Sequence, residues 1–351
     1  MSTRLEDFDY ELPAERIAQH AAPRGDSRLM VLAARGEARH RRIAELPELL
    51  EPGDLLVVND SRVLPARLFA SRRPGGGRVE LLLVERLGPC RWTALARPGR
   101  RLRPGSVLEV AGRDEPALEL EVEGAGEDGL FRLRGDRPLG PVLDRHGHVP
   151  LPPYIERPDT AADHERYQTV FARVPGSIAA PTAGLHFDDC LLAGLKSRGV
   201  EICTLTLHVG PGTFQPIRGD RVEEHRMAEE RFEVTAEAAR QVDRARARGG
   251  RIVAVGTTVV RTLETVAAGG GRIAAAAGRT ELFIRPGHRF RVVDLLLTNF
   301  HLPRSTLLVL VCALGGRERI LAAYREAVTA GYRFYSYGDA MLVGPAQRPA
   351  R

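Results

Sequence analysis

The chain has 351 residues, enough for one large domain or two ordinary ones, and its 43% apolar and 27% charged residues exclude wholesale disorder. The longest unbroken apolar run, Leu307 to Leu314, is eight residues. A membrane helix needs roughly 20, so no membrane span is expected. The formal charge is +6, and of the 51 basic residues only Lys196 is not Arg.

The opening MSTRLEDFDYELP has no apolar h-region and no cleavage signature, so no secretory signal is expected. Cys90, Cys190, Cys203 and Cys312 lie far apart without a C-x-x-C. That spacing predicts neither a zinc site nor a disulfide framework, and a cytoplasmic location fits it.

Residues 1–60 read as short helical and extended pieces ending in the strand DLLVVND. From Arg67 to Leu143 the chain is strand-like. VELLLVERL, RWTALA, SVLEVAG, ALELEVEG and GLFRLRG are separated by Gly/Pro-rich turns, which predicts a small β-barrel. GAGEDG at 124–129 matches G-x-G-x-x-G, but it lies between two strands and carries two acids, so it reads as a hairpin turn.

Charge is uneven across this block. Residues 62–113 hold 12 Arg against Glu80, Glu85 and Glu109, a net +9, whereas 114–128 hold seven acids and no base. Arg97, Arg100, Arg101 and Arg103 fall in one turn. Such a cluster suits a phosphate backbone, and equally a solvated strand face.

After Pro150 helices alternate with apolar strands. DDCLLAGLKSRG predicts a helix capped by Asp and ended by Gly199. VEICTLTLHVG is a strand, and VTAEAARQVDRARARG a helix capped by Thr235. RIVAVGTTVVRTLETVAA is strand, turn and helix. RVVDLLLTNFHLPRSTLLVLVCALGG repeats the theme with a helix from Ser305, and RERILAAYREAVTAGY is a further helix. The expected fold is α/β: a layered α/β domain built from residues 1–65 and 150–345, with a β-barrel of residues 66–149 inserted.

In an open α/β sheet, ligands bind where strand carboxyl ends meet helix N-termini. AAPTAGLHF, HVGPGTFQP, GTT at 256–258 and NFHLPRS fit that position. Free N–H groups at Gly256, Thr257 and Thr258 suit a carboxylate or phosphate. His186, His208, His225 and His301 concentrate here, and imidazole suits proton transfer. Each alone reads equally as a structural histidine. His146 and His148 lack a third ligand at a metal-site spacing, so no metal is expected.

Together these segments resemble the S-adenosylmethionine:tRNA ribosyltransferase-isomerase family of queuosine biosynthesis, over about residues 5–343. The resemblance rests on YELP, SRL, NDSRVLPARL, PLPPYI, ERYQTVF, AAPTAGLHF, TLHVGPGTFQPI, VGTTVVRTLE, TNFHLPRSTL and YRFYSYGDAML, in that order. It implies an α/β domain with an inserted barrel and transfer of the ribosyl part of S-adenosylmethionine. The implied acceptor is 7-aminomethyl-7-deazaguanine at the wobble position of a tRNA, and the products are epoxyqueuosine-tRNA, adenine and methionine.

S-adenosylmethionine is then a consumed substrate, with no further cofactor. Membranes play no part, and a monomer is expected. That chemistry makes His186, His208, His225 and Glu230 the candidate proton-transfer groups. Asn59, Arg62, Thr182, Gly184, Gly210, Gly212, Thr213, Phe214, Gly256, Thr257, Thr258, Arg261, Asn299 and His301 are the candidate substrate-binding residues. Arg62, the 256–258 turn and Arg261 are candidates for a carboxylate or phosphate, and Phe214 for the sulfonium. Arg97, Arg100, Arg101 and Arg103 are the candidate RNA contacts. The family pattern His-x-Met-His-x-Glu is broken by Ala228, which stands where a second His is expected.

Two other readings compete. An S-adenosylmethionine-dependent RNA methyltransferase should show a glycine-rich strand–loop–helix near the start of the α/β domain, and none is found. A non-catalytic RNA-binding protein would use the basic barrel and leave S-adenosylmethionine intact.

Overall fold

The computed structural model describes residues 3–33, 37–112, 116–126, 129–214, 217 and 219–346, residue 214 by its backbone alone. Leu55, Leu56, Val57 and Val58 form an unbroken apolar run, the pattern of a strand covered on both faces. They lie within a nine-stranded sheet. Strand Leu55–Asn59 is flanked by Glu201–Leu207 and Ile252–Val255, both parallel to it, and Leu295–Asn299 continues the parallel run. Ala340–Val343 then pairs antiparallel, followed by Arg28–Leu32 and the edge strand Arg39–Arg42. The other edge is Glu230–Val234 and Ala276–Thr280, both antiparallel.

Both faces are packed. Helices Ala236–Ala247, Thr257–Val266, Thr306–Gly315 and Arg317–Thr329 bury their apolar sides with Leu55, Val57 and Leu205. Helix Asp189–Ser197 and the short helix Leu46–Leu49 cover Leu56, Val58 and Val253 on the opposite face. The expected Asp and Thr caps form: Asp188 accepts from the Leu191 N–H at 2.7 Å and Thr235 from Ala238 at 3.1 Å, and Ser305, expected as a helix start, is itself the cap, accepting from Leu308 at 3.2 Å. Outside the main sheet, Ser61–Val63 pairs in parallel with Val174–Ser177, and helix Ala161–Arg166 lies in a stretch where no element was expected.

The barrel is closed by six strands: Leu130–Gly135, Arg91–Arg97, Arg78–Arg86, Arg67–Arg73, Val107–Val110 and Leu118–Ala125. Five were expected. The sixth, RLFASRR, reads poorly as a strand because Arg67, Ser71, Arg72 and Arg73 leave little apolar pattern, yet Leu68 and Ala70 point inward as the two-residue period requires, with Phe69 outward between them. The 124–129 turn joins two antiparallel strands, as a hairpin should, although Glu127 and Asp128 lie outside the described residues. Among the described residues no helix is long and apolar enough to cross a membrane.

The exterior of the barrel is laced with ion pairs. Arg73 meets Glu109 and Glu119, Arg91 meets Glu123, and Arg134 meets Glu121. The described acids of the 114–128 stretch are therefore engaged by these arginines. Asp114 and Glu115 lie outside the described residues.

Candidate active site

Four parallel strands bring the Asn59, Leu207, Val255 and Asn299 ends to one edge of the sheet. Asn59 ties two of them together. Its amide donates to the Leu207 carbonyl at 2.9 Å, and its Oδ1 accepts from the Leu207 and Ser61 N–H groups at 3.1 and 3.0 Å. Gly256 takes φ +94°, which a side chain would strain, and starts helix Thr257–Val266. Thr182, Thr213, Gly256, Thr257, Thr258, Asn299 and His301 line a single narrow cavity of about 40 Å³. It has room for a small headgroup, not for a nucleoside.

Behind this cavity sits a buried ion pair. Arg261 and Glu230 are 3% and 4% exposed, and Arg261 Nη1 donates to Glu230 Oε2. The rest of the guanidinium donates to the Leu282 and Thr280 carbonyls at 2.9 and 3.3 Å. Glu230 Oε1 accepts from the Gly210 N–H at 3.0 Å and the Thr213 hydroxyl at 3.1 Å. The pair thus anchors the 208–213 loop from beneath, and Arg261 is committed to protein partners. Gly212 of that loop abuts Ala228: a Cβ built on the glycine would come within 2.7 Å of the Ala228 Cβ. The position where the family pattern has its second His therefore faces the loop. Phe214 ends the loop's short helix, and its side chain lies outside the described residues.

The histidines separate into different settings. His186 is buried, with Nδ1 against Ser27 Oγ at 2.8 Å. Burial pushes its imidazole down to about 4, partly offset by Asp339 and Asn299. His301 is also buried, bonded to Thr298 Oγ1 at 2.9 Å, and burial pushes it to about 3. His208 is half-buried at the start of the loop. Burial and then Arg231 push it down to about 4, against the pull of Asp60. All three are neutral at pH 7. His186 Nε2, His208 Nδ1 and Asn299 Oδ1 are buried without a hydrogen-bond partner among the described residues. His225 meets Phe283 edge-on at 5.4 Å. Gly184 is buried in the Thr182–His186 turn, and Arg62 is exposed on the small parallel ribbon.

A much larger cleft of about 870 Å³ adjoins the narrow cavity. Its walls are the outer barrel face (Arg67, Phe69, Arg78, Glu80, Arg97) and the Pro150–Asp159 segment. Ile178 and Pro211 line it, and their neighbours Ala179 and Thr213 line the narrow cavity. Arg97 opens onto this cleft. Arg100, Arg101 and Arg103 project from the next turn, exposed and in no ion pair with the described residues.

Several site residues escape sequence reasoning. Tyr335 and Ser336 line the narrow cavity from the far end of the chain, Tyr335 at φ +74°, rare for a bulky residue. Asp60 is 1% exposed, paired with Arg173 at 2.7 Å and accepting from Thr206 Oγ1 at 2.7 Å. Nothing in the sequence pairs Asp60 with Arg173, 113 positions away. Phe69 and Arg67 sit on the barrel strand that the pattern hides, and Arg78 opens the strand paired with it.

Comparison with known proteins is concordant over the whole chain. Residues 5–343 match the family model described as queuosine biosynthesis protein. An S-adenosylmethionine:tRNA ribosyltransferase-isomerase of Anaeromyxobacter sp. (strain K) is 58% identical over 349 residues, 97% of this chain and 99% of its own. The protein of that name from Thermus thermophilus is 54% identical over 346 residues, 97% and 99% of the two chains. A crystal structure of S-adenosylmethionine tRNA ribosyltransferase from Thermotoga maritima is 43% identical, with 96% of this chain and 99% of that one covered, at a TM-score of 0.55. Sequence, barrel insertion and sheet edge lead to one conclusion: the chain is an enzyme of the S-adenosylmethionine:tRNA ribosyltransferase-isomerase family, whose work is tRNA modification in queuosine biosynthesis.

Proposed function

We propose that the enzyme moves the ribosyl part of S-adenosylmethionine onto the aminomethyl group of a 7-aminomethyl-7-deazaguanine at the tRNA wobble position. The products are epoxyqueuosine-tRNA, adenine and methionine. The observation that carries this reading is a narrow cavity at the sheet edge, lined by threonines, Asn299 and His301, beside which the same chain segments, through Ile178 and Pro211, also line a wide, arginine-bearing cleft. The narrow end suits the methionine carboxylate, which the N–H groups at the start of helix Thr257–Val266 would receive. The wide end has volume for a nucleoside and an incoming base.

His208 is the proton acceptor in this reading. It is neutral at pH 7 and only half-buried, and it begins the loop whose Pro211 and Thr213 line the two spaces. His186 and His301 are too enclosed to exchange protons with a ligand without rearrangement, and His301 lines the narrow cavity as a neutral ring. Glu230 and Arg261 act by positioning the loop. Arg100, Arg101 and Arg103 would follow the RNA backbone without reading bases. S-adenosylmethionine is consumed, no other cofactor or metal enters the scheme, and a cytoplasmic monomer suffices for it.

Incubation with S-adenosylmethionine and tRNA bearing the deazaguanine precursor, followed by nucleoside mass spectrometry, tests the reading. The expected product is the epoxy-cyclopentane nucleoside with free adenine. Methylated RNA with stoichiometric S-adenosylhomocysteine overturns it.

A further inference from the structure

The cleft wall contains an arrangement that phosphate binding does not require. Phe69 stands half-buried on the outer barrel face. The Arg78 guanidinium lies over its ring at 4.4 Å from the centroid, the Arg67 guanidinium at 5.4 Å, and the His148 ring meets it edge-on at 5.0 Å. His148 is held by Asp159 at 2.9 Å, and Arg67 by Glu80 at 2.7 Å. His148 and Arg67 are thus held in place, and Phe69 and Arg78 stand with them beside a space of about 870 Å³. Aromatic rings and guanidinium planes are the surfaces on which proteins stack unpaired RNA bases.

We infer that this wall is the stacking platform for an RNA base turned out of its strand, with Phe69 and Arg78 as the stack and Glu80 the acceptor for a guanine-type edge. A 7-deazaguanine presents N1–H and an exocyclic amine, the donors a carboxylate accepts. Arg97 lines the same cleft and leads to the Arg100–Arg103 turn, so one path serves both the base and its flanking phosphates. This inference rests on the tRNA reading above and adds to it where the base goes.

The test is a binding cycle on the full chain with two probes: an anticodon stem-loop RNA with guanosine at the wobble position, and the same RNA abasic there. Phe69→Ala should weaken binding of the guanosine RNA by roughly 5- to 150-fold, the span expected for one lost base–aromatic stack. On the abasic RNA the same variant should change affinity less than twofold. S-adenosylmethionine binding and melting temperature should match the unaltered protein, showing that Phe69→Ala is folded, and Phe69→Tyr should bind the guanosine RNA normally. Equal losses on both RNAs overturn the platform and leave the tRNA reading standing. Failure of the unaltered protein to bind either RNA overturns both.

Discussion

Replacing Glu230 by Gln removes one charge from a pair whose members are 4% and 3% exposed. The Arg261 guanidinium keeps its bonds to the Leu282 and Thr280 carbonyls but loses the carboxylate that neutralises it. An uncompensated buried charge costs about 3–5 kcal/mol. With an unfolding entropy of roughly 2.1 cal/mol/K per residue, a chain of this length loses roughly 4–7 °C of melting temperature for that cost. Calorimetry on the purified variant reads this directly. Glu230→Gln combined with Arg261→Met should recover most of the loss, because a buried pair can be exchanged for apolar packing at little net cost. The loop should respond separately. Gln retains an acceptor for the Gly210 N–H and the Thr213 hydroxyl, whereas Glu230→Leu frees both and should weaken S-adenosylmethionine binding further. If the single variants melt within 1 °C of the unaltered protein, the value of an exposed pair, the reasoning is refuted.

Three further outcomes follow from the same geometry. His208→Gln should lower turnover by ~10²–10⁴-fold with an unchanged melting temperature, and near-normal turnover removes His208 as the proton acceptor. Stability should fall between pH 6.5 and pH 5: His186 and His208 titrate at about 4 and His301 at about 3 in the folded chain, below the unfolded value of about 6.5. The unfolded chain therefore binds protons that the folded chain does not. The stability these groups contribute is full above pH 6.5 and is lost as pH falls toward 4, by up to about 1.4 kcal/mol per pH unit for each group; a urea midpoint that stays flat over that window refutes it. Replacing Arg100, Arg101 and Arg103 by Ala should weaken tRNA binding and flatten its log–log salt slope by about 0.7–0.9 per lost phosphate contact, whereas unchanged affinity with a lower melting temperature makes the cluster structural.

Elements written in local pattern were legible from the sequence. The all-apolar run before Asn59 and the Thr and Asp caps each depend on neighbours a few positions away, and they appear where expected. The 256–258 turn and the Asn299–His301 loop are legible because a Gly or polar turn between an apolar strand and a helix has few other uses. What was hidden depends on distant partners. The strand Arg67–Arg73 has no apolar run because its outer face meets charged neighbours and an open cleft. Arg261 looks like an anion binder by residue type, and only the fold reveals Glu230 beneath it, 31 positions away. Tyr335 reaches the cavity because the antiparallel strand Ala340–Val343 begins at that edge, opposite Asn299, a pairing that no local pattern encodes.

The fate of the two halves of S-adenosylmethionine separates ribosyl transfer from methyl transfer. The substrate is supplied once with carbon-13 in the ribose and once with carbon-13 in the methyl group, together with precursor-bearing tRNA. The modified nucleoside is then weighed by mass spectrometry. The ribose label should enter the RNA while the methyl label leaves in methionine, with one adenine released per nucleoside formed. Methyl label in the RNA, with the ribose label retained in S-adenosylhomocysteine, would contradict it.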